Sequence, residues 1–445
     1  MEKSMFTSAE LKKLIYPLII EQILAITVGM VDTVMISYAG EAAMSGVSLV
    51  DMINNLLISI FAAVATGGAV VVSQYLGSKN PKSASRAATQ LITVAFVIAA
   101  GFMLVSIIGN KCILRLLFGA IESDVMDSAC IYFLISAWSY PFLAVYNASA
   151  AIFRSMGNAK ISMKISIGMN IFNAIGNAIL IFGLSMGAAG AALSTLAARI
   201  LGALVLLKLA TQKTLPVSVN MKEVLIWEKD MVHRILNIAI PSGIENGLFQ
   251  LGRVLVVSII ALFGTYQIAA NAVANTLDAM GCIAGQAMNL AMITVVGRCM
   301  GAGEKEQAVY YTRKLWKITY IITIAVNSVI LISLPWLLRL FALSPKAYKY
   351  AYILVMIHDG MAMFMWPTAF TLPNAMRAAG DVKYCMFISI FSMVVFRILL
   401  SIVFGIWMGW GAIGVWLAMI VDWTFRFIFF VWRFVSRKWL EYKVI

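Results

Sequence analysis

Charged residues are scarce in this chain: only 12% of its 445 residues are Asp, Glu, Lys or Arg, whereas 62% are hydrophobic. A soluble protein carries roughly 25% charged residues, because its surface must be hydrated. The scarcity therefore excludes a soluble multidomain protein and favours a chain whose surface faces lipid.

Histidine and cysteine are also few, with two and five copies. They form no CxxC motif and no His/Cys spacing typical of a metal site, so we expect no cofactor and no metal beyond a possible coupling Na⁺. A nucleophile–base arrangement is missing too, which argues against a membrane-embedded enzyme. We also expect no cleavable signal peptide, because the first apolar run starts near Leu14 and continues past the length of an h-region.

The net charge of +14 does not indicate a nucleic-acid partner. Its Lys and Arg residues lie mostly in short gaps between apolar runs, and no basic stretch is interleaved with aromatics on a soluble module. The charge is instead a signal of membrane topology.

Long apolar runs are what the sequence has in abundance. About 20 mostly apolar residues are needed to span a bilayer, and the runs are continuous rather than alternating, which excludes a β-barrel. The sequence therefore predicts an all-α polytopic membrane protein with twelve transmembrane helices, at residues 14–38, 49–76, 88–109, 128–152, 161–183, 187–209, 236–262, 270–297, 315–341, 350–373, 384–406 and 410–433.

The basic residues predict the orientation of these spans. Most lie at the termini and in the gaps after even-numbered spans, whereas the gaps after odd-numbered spans hold only Lys111, Arg115, Arg339, Lys346 and Lys349. Because positively charged loops stay in the cytoplasm, both termini are expected to be cytoplasmic. We expect a plasma (inner) membrane of bacterial type and a monomer.

The chain repeats itself at an offset of 224 residues. Pro17 falls on Pro241 and Glu21 on Glu245, and the segment KISMKISI matches KYCMFISI further along the two halves. This repeat predicts two homologous six-helix lobes related by a pseudo-twofold along the membrane normal. Their limits are 1–209 for the N-lobe, 210–235 for a cytoplasmic linker and 236–445 for the C-lobe. Secondary transporters are often built in this way.

Ionisable residues inside a bilayer cost about 2.5–3.5 kcal/mol or more and mark pathways or ion sites by default. Asp32 in span 1 has no cationic residue within two helical turns, which suits a proton or Na⁺ switch. The alternative is a structural carboxylate that holds neighbouring backbone, Ser or Asn groups. Glu21 lies about three turns earlier on the same face and is a possible additional site residue.

Other polar residues in the spans extend this list. Asn173 and Asn177 share a face of span 5 and could offer amide groups to a cation or to a protonated carboxylic acid. Glu245 and Asp359 form a matching acidic pair on spans 7 and 10, a candidate cation- or substrate-binding site in the C-lobe.

Four further charged residues of the spans bear on this list. For Arg199, the role of a structural counter-ion and a functional role stay equally open. The sequence does not determine how deep in the membrane Asp51 lies. Asp422 and Arg426, four residues apart on span 12, are expected to pair with each other.

At this point the motifs identify a resemblance. The segments VDTVMISYAG, IPSGIEN, AIFRSMGNAK and NAMRAAGD, in this order and with the twofold six-span layout, resemble the multidrug and toxic compound extrusion (MATE) transporters. The resemblance implies an antiporter that exports small organic compounds in exchange for H⁺ or Na⁺ by alternating access, and the acidic candidate residues favour organic cations among these compounds.

The resemblance also implies a cation-coupling site in the N-lobe at Asp32, Asn173, Asn177 and Thr195, and it matches Glu245 and Asp359 in the C-lobe. Some members have Asp where this chain has Asn177, a departure that removes one charge and leaves H⁺ and Na⁺ both open. A lipid-linked precursor flippase of the same superfamily is the alternative function.

Overall fold

The computed structural model describes residues 5–119, 122–341 and 343–445. The first four residues of the predicted N-lobe lie outside this part of the chain. Within it, twelve helices are long and apolar enough to cross a bilayer. They are α1 Ser8–Ser37, α2 Glu41–Gly77, α3 Pro81–Ile108, α4 Ser123–Ser155, α5 Ala159–Gly183, α6 Gly187–Ala210, α7 Lys229–Ala261, α8 Thr265–Gly301, α9 Lys305–Arg339, α10 Pro345–Ala379, α11 Val382–Trp407 and α12 Gly411–Val435.

Each predicted span corresponds to one of these helices, so the all-α fold with twelve transmembrane helices is confirmed. The described residues also form a short helix, Asn110–Phe118, between α3 and α4, and a single 3₁₀ turn, Lys438–Glu441, after α12. No β-strand occurs in the described ranges.

Polar side chains cap the starts of some helices, among them α1 and α3. At the start of α1, Thr7 and Glu10 form a capping box: the Thr7 hydroxyl accepts from the Glu10 backbone N–H, and the Glu10 carboxylate accepts from that of Thr7. At the start of α3, the Asn80 side chain accepts from the backbone N–H of Ser83, with Pro81 in the first turn. Such caps satisfy backbone donors that an apolar end would leave unpaired.

The chain forms two compact units, the N-unit Phe6–Gly243 and the C-unit Ile244–Val444. In the N-unit, α4 packs against α2, α3 and α6. A Cβ at Gly46 of α2 would lie 2.8 Å from the backbone nitrogen of Ala129 in α4, so glycine permits this close approach. In the C-unit, α10 corresponds to α4 in the internal repeat and packs against α8, α9 and α12.

The segment between α6 and α7 belongs to the N-unit, and α3 holds it in place. Backbone N–H groups of this segment donate to three hydroxyls spaced four residues apart on α3: Ser218 to Ser85, Asn220 to Thr89 and Leu225 to Thr93. The last residues of the predicted linker 210–235 are already helical, because α7 starts at Lys229.

Candidate functional site

A cavity of about 310 Å³ lies within the N-unit. Its size is at the lower end of small-molecule sites. The cavity is lined mainly by polar and charged side chains from α1, α2, α4, α5 and α6: Asp32, Thr33, Ser48, Asp51, Asn54, Asn55, Tyr132, Ser136, Asn177, Thr195 and Arg199.

Asp32 lies at this cavity and is held by both predicted asparagines of α5. Asn173 Nδ2 lies 3.1 Å from each carboxylate oxygen of Asp32, and Asn177 Nδ2 donates to Asp32 Oδ1 over 2.7 Å. The spacing of four residues places both amides on the helix face that meets α1. The structure thus brings together three of the four residues predicted for the N-lobe site in direct contact.

Thr195, the fourth residue, joins through Asn173. Its hydroxyl donates to Asn173 Oδ1 over 3.3 Å, and the neighbouring Ser194 hydroxyl donates to the Asn173 backbone carbonyl over 2.7 Å. A Cβ at Gly176 would come within 2.4 Å of Ser194 Oγ, so glycine leaves the space that lets α6 approach α5. These bonds orient the Asn173 amide nitrogen towards Asp32.

Asn177 is the last residue before a change in helical geometry. The following residues, Ala178–Gly183, form a π-helical turn at the end of α5. Such turns are frequent at functional sites. The Asn177 Oδ1 atom is buried and has no hydrogen-bond partner within the described part of the chain, and an amide oxygen without a partner is free to accept a ligand proton or a cation.

Asp51 and Arg199 line the same cavity as Asp32. The Asp51 carboxylate accepts from the hydroxyl of Tyr132 and from the amide of Asn54, each over 3.3 Å. The sequence did not assign these two charges to the site. The signal that could have found Arg199 is its position one helical turn after Thr195 on the same face of α6.

Glu21 is not part of this cavity. Its carboxylate accepts from Ser162 over 3.3 Å and lies 4.0 Å from Arg154. Glu21 and Asp32 therefore share a helix face but do not lie in one site.

Glu245 in the C-unit forms a close ion pair. Arg377 Nη2 donates to Glu245 Oε1 over 2.6 Å, and both side chains are largely buried. Arg377 also donates to Asn374. No hydrogen bond or ion pair links Glu245 to Asp359 among the residues that the structure describes, so each carboxylate of the predicted acidic pair has its own partner.

Asp359 contacts a histidine that the sequence did not single out. His358 Nδ1 lies 2.8 Å from Asp359 Oδ1, and His358 Nε2 lies 2.5 Å from Asp278 Oδ1. The imidazole therefore lies between two carboxylates and is almost fully buried. Because a neutral imidazole has one donor and an imidazolium has two, this geometry suits a charged histidine.

Cys282 lies beside Asp278 and His358, and these three residue types could in principle bind a metal ion. One donor atom each from Asp278, Cys282 and His358 lies within 4.8 Å of the others. The 2.5 Å between the His358 nitrogen and the Asp278 oxygen is a hydrogen-bond distance, however. Two ligands that share an ion at about 2.0–2.2 Å normally lie farther apart, so this arrangement is hydrogen-bonded rather than preformed for a metal.

The predicted pair of Asp422 and Arg426 is confirmed, since Arg426 Nε donates to Asp422 Oδ1 over 2.9 Å. Arg397 approaches the other carboxylate oxygen at 3.5 Å, and Ser392 also donates to Asp422. This buried carboxylate is thus surrounded by donors and forms a structural network.

Comparison with protein families supports what the motifs indicate. The MatE family model matches residues 17–179 and again residues 241–403. The two matches are offset by the same 224 residues as the internal repeat, so the homology of the two halves is confirmed. Together they cover more than half of the chain.

Relatives extend over nearly the full length. The chain is 28% identical to the uncharacterized transporter YisQ of Bacillus subtilis, over 99% of both chains. It is 25% identical to the probable multidrug resistance protein NorM of Thermotoga maritima, over 98% of this chain and 94% of that one.

Solved structures share the fold. One neighbour is an outward-facing MATE family transporter of the MOP superfamily, with a TM-score of 0.89 and 17% identity over 98% of this chain and 96% of the other. Another is a MOP superfamily transporter from Pyrococcus furiosus, with a TM-score of 0.90, 17% identity and the same coverage.

Proposed function

Because the chain belongs to the MatE family, we propose that it is a secondary antiporter that exports organic, mainly cationic, compounds in exchange for H⁺ or Na⁺ by alternating access. The observation that carries this proposal is the Asp32 carboxylate, which lies at a cavity and is held by Asn173 and Asn177. A carboxylate at membrane depth can change its charge by binding an ion, and a change in charge can bias a conformational equilibrium.

The orientation of the two amides favours H⁺ as the coupling ion. Both Asn173 and Asn177 direct their amide nitrogens at Asp32. An amide NH₂ group donates hydrogen bonds and does not bind a cation. Asn177 Oδ1 has no hydrogen-bond partner within the described part of the chain and could bind Na⁺, but Asn173 could add its oxygen only by rotating its amide and giving up the hydrogen bond from Thr195. Protonation of Asp32 needs only one acceptor, and Asn177 can supply it by turning its amide, because its Oδ1 atom has no other partner in the described part of the chain.

The charge of the cavity supports a cationic substrate. Two carboxylates, Asp32 and Asp51, face it together with one guanidinium, that of Arg199. With both carboxylates ionised, one negative charge is in excess, and its burial favours a cation that compensates it. A flippase for lipid-linked precursors is not favoured, because a relative that matches 98% of this chain is a probable multidrug resistance protein.

We place the protein in a bacterial inner membrane, with both termini in the cytoplasm and no requirement for an oligomer. The distribution of basic residues supports this orientation. A terminal epitope that is accessible to protease in sealed right-side-out cells would contradict it.

Transport in reconstituted vesicles tests the proposed function. Wild-type protein should move a fluorescent cation such as rhodamine 123 when an H⁺ gradient is imposed, and Asp32→Asn should not. Transport that follows an imposed Na⁺ gradient and ignores the H⁺ gradient would reject H⁺ coupling. Transport by neither gradient would reject the antiporter itself.

A further inference from the structure

Arg199 is a cation at the N-unit cavity whose hydrogen-bonding capacity is largely unused. Its side chain lines the cavity, and Nη1 donates to the hydroxyl of Ser139 over 2.6 Å. Within the described ranges, no carboxylate approaches it to ion-pair distance, and Ser139 is its one hydrogen-bond partner. A guanidinium has five N–H donors in a planar fork, so most of them remain available.

The two carboxylates of the cavity already have other partners. Asp32 accepts from the amides of Asn173 and Asn177. Asp51 accepts from the Tyr132 hydroxyl and the Asn54 amide. The protein therefore does not use either carboxylate to neutralise Arg199 directly, although a charge taken out of water requires a partner.

We propose that Arg199 determines specificity by binding an acidic group of the transported compound. The N-unit cavity would then accept amphoteric molecules, with a carboxylate at Arg199 and a cationic group near Asp32 and Asp51. This inference rests on the proposed export function and narrows its substrate class. Arginine suits the role because its planar fork matches a carboxylate with two parallel hydrogen bonds.

The same geometry explains how a proton and an amphoteric substrate can alternate at Asp32. When Asp32 is protonated, Asp51 and Arg199 leave the cavity without net charge. When Asp32 is ionised, the cationic end of the substrate lies beside Asp32 and Asp51 while the acidic end pairs with Arg199, so each charged end has a partner and the cavity keeps its one excess negative charge. Proton and substrate would then compete for Asp32, whereas recognition by Arg199 would persist in both states.

A purely structural role predicts something different. If Arg199 served only as a distant counter-ion for Asp51 and Asp32, its replacement would weaken every ligand of the cavity by the same factor. The two roles are therefore separated by comparing two ligands that differ only in an acidic group.

Rhodamine 110 and rhodamine 123 are such a pair, because rhodamine 123 is the methyl ester of the rhodamine 110 carboxyl group. We would measure equilibrium binding of both dyes to the purified full-length protein by fluorescence polarisation. In Arg199→Gln, the ratio of the two dissociation constants should shift about tenfold to a hundredfold towards rhodamine 123, the range for a lost charge-assisted hydrogen bond. Arg115→Gln removes an exposed positive charge outside the cavity and should leave the ratio within about twofold.

A second variant covers the case in which Arg199→Gln does not fold. Arg199→Lys keeps the positive charge but loses the planar fork, and the ratio should shift in the same direction by a smaller factor. The proposal would be overturned if a folded variant, either Arg199→Gln or Arg199→Lys, had a ratio of the two dissociation constants within about twofold of the wild-type ratio. Equilibrium binding needs no ion gradient, so a failure of vesicle export would reject the proposed function without deciding the role of Arg199.

Discussion

Arg377 Nη2 donates to Glu245 Oε1 over 2.6 Å, which links the end of α10 to the middle of α7 inside the C-unit. Glu245 was a candidate to bind a cationic substrate or Na⁺. A carboxylate that already holds a buried guanidinium is not available as a bare charge, so a cation could bind there only after this pair opens.

Breaking this pair should cost stability. Glu245→Gln and Arg377→Gln each leave one buried charge without its partner, which typically costs about 3–5 kcal/mol. The double variant should be less destabilised than the sum of the two, because no charge is then left alone. Thermal unfolding in detergent measures these effects, and Arg437→Gln at the exposed pair with Glu306 is the control, expected to change stability by less than about 1 kcal/mol. Additive losses would contradict a direct pair.

Asp32→Asn should abolish export or reduce it almost to background while the protein still inserts. The substitution preserves shape but removes the group that can change its charge, and it places an amide against two amide nitrogens. Drug resistance of cells, normalised to the amount of protein in the membrane, measures this. Asp230→Asn is a suitable control, because that carboxylate is exposed in the first turn of α7. Wild-type resistance with well-expressed Asp32→Asn would contradict the proposed coupling role.

His358→Gln should lower thermal stability, because Asp278 and Asp359 would lose the imidazole that both contact. Removing a partner from buried polar groups costs about 1–3 kcal/mol for each group left unsatisfied. The other histidine of the chain, His233, is exposed, and His233→Gln should melt like wild type. Equal melting temperatures for the two variants would show that the contacts of His358 are not stabilising.

Gly46→Ala should destabilise the N-unit through its packing. The new Cβ would lie 2.8 Å from the Ala129 backbone nitrogen and 2.9 Å from the Val125 carbonyl oxygen, and backbone atoms cannot rotate away. Overpacking of this kind costs about 1–3 kcal/mol. Gly101→Ala is the matched control, since nothing lies within 4 Å of its added Cβ, and it should be neutral or slightly stabilising. A destabilised Gly101→Ala with an unaffected Gly46→Ala would reject this packing.

Gln90→Ala should loosen the segment before α7. The Gln90 side chain donates to the Ile226 carbonyl over 2.7 Å and accepts from the Glu228 backbone N–H over 3.2 Å, so its removal frees two backbone groups. Trypsin should then cleave faster at the exposed residues Lys213 and Lys222. Thr211→Val, which loses a bond only to its own helix, should be cut at the wild-type rate. Unchanged cleavage of Gln90→Ala would mean that other contacts suffice to hold the segment.

The sequence by itself determined the number of spans, their order and the internal repeat. The reason is that lipid offers no hydrogen bonds, so each crossing segment must be a continuous apolar helix, which is visible without any tertiary contact. The sequence predicted only part of the contact of Asp32 with Asn173 and Asn177. The spacing of four residues places both amides on one face of α5, but only the packing shows that this face meets α1.

Apart from the pair of Asp422 and Arg426, the partners of the buried charges were decided by the tertiary structure alone. Glu245 pairs with Arg377 across 132 positions of sequence, Asp359 shares His358 with Asp278, and Arg199 reaches the cavity of Asp32. Hydropathy counts such residues as interruptions of an apolar run and carries no information about the rotation of one helix against another. That rotation follows from how small residues such as Gly46 and Gly176 let neighbouring backbones approach, and it determines which charged groups meet.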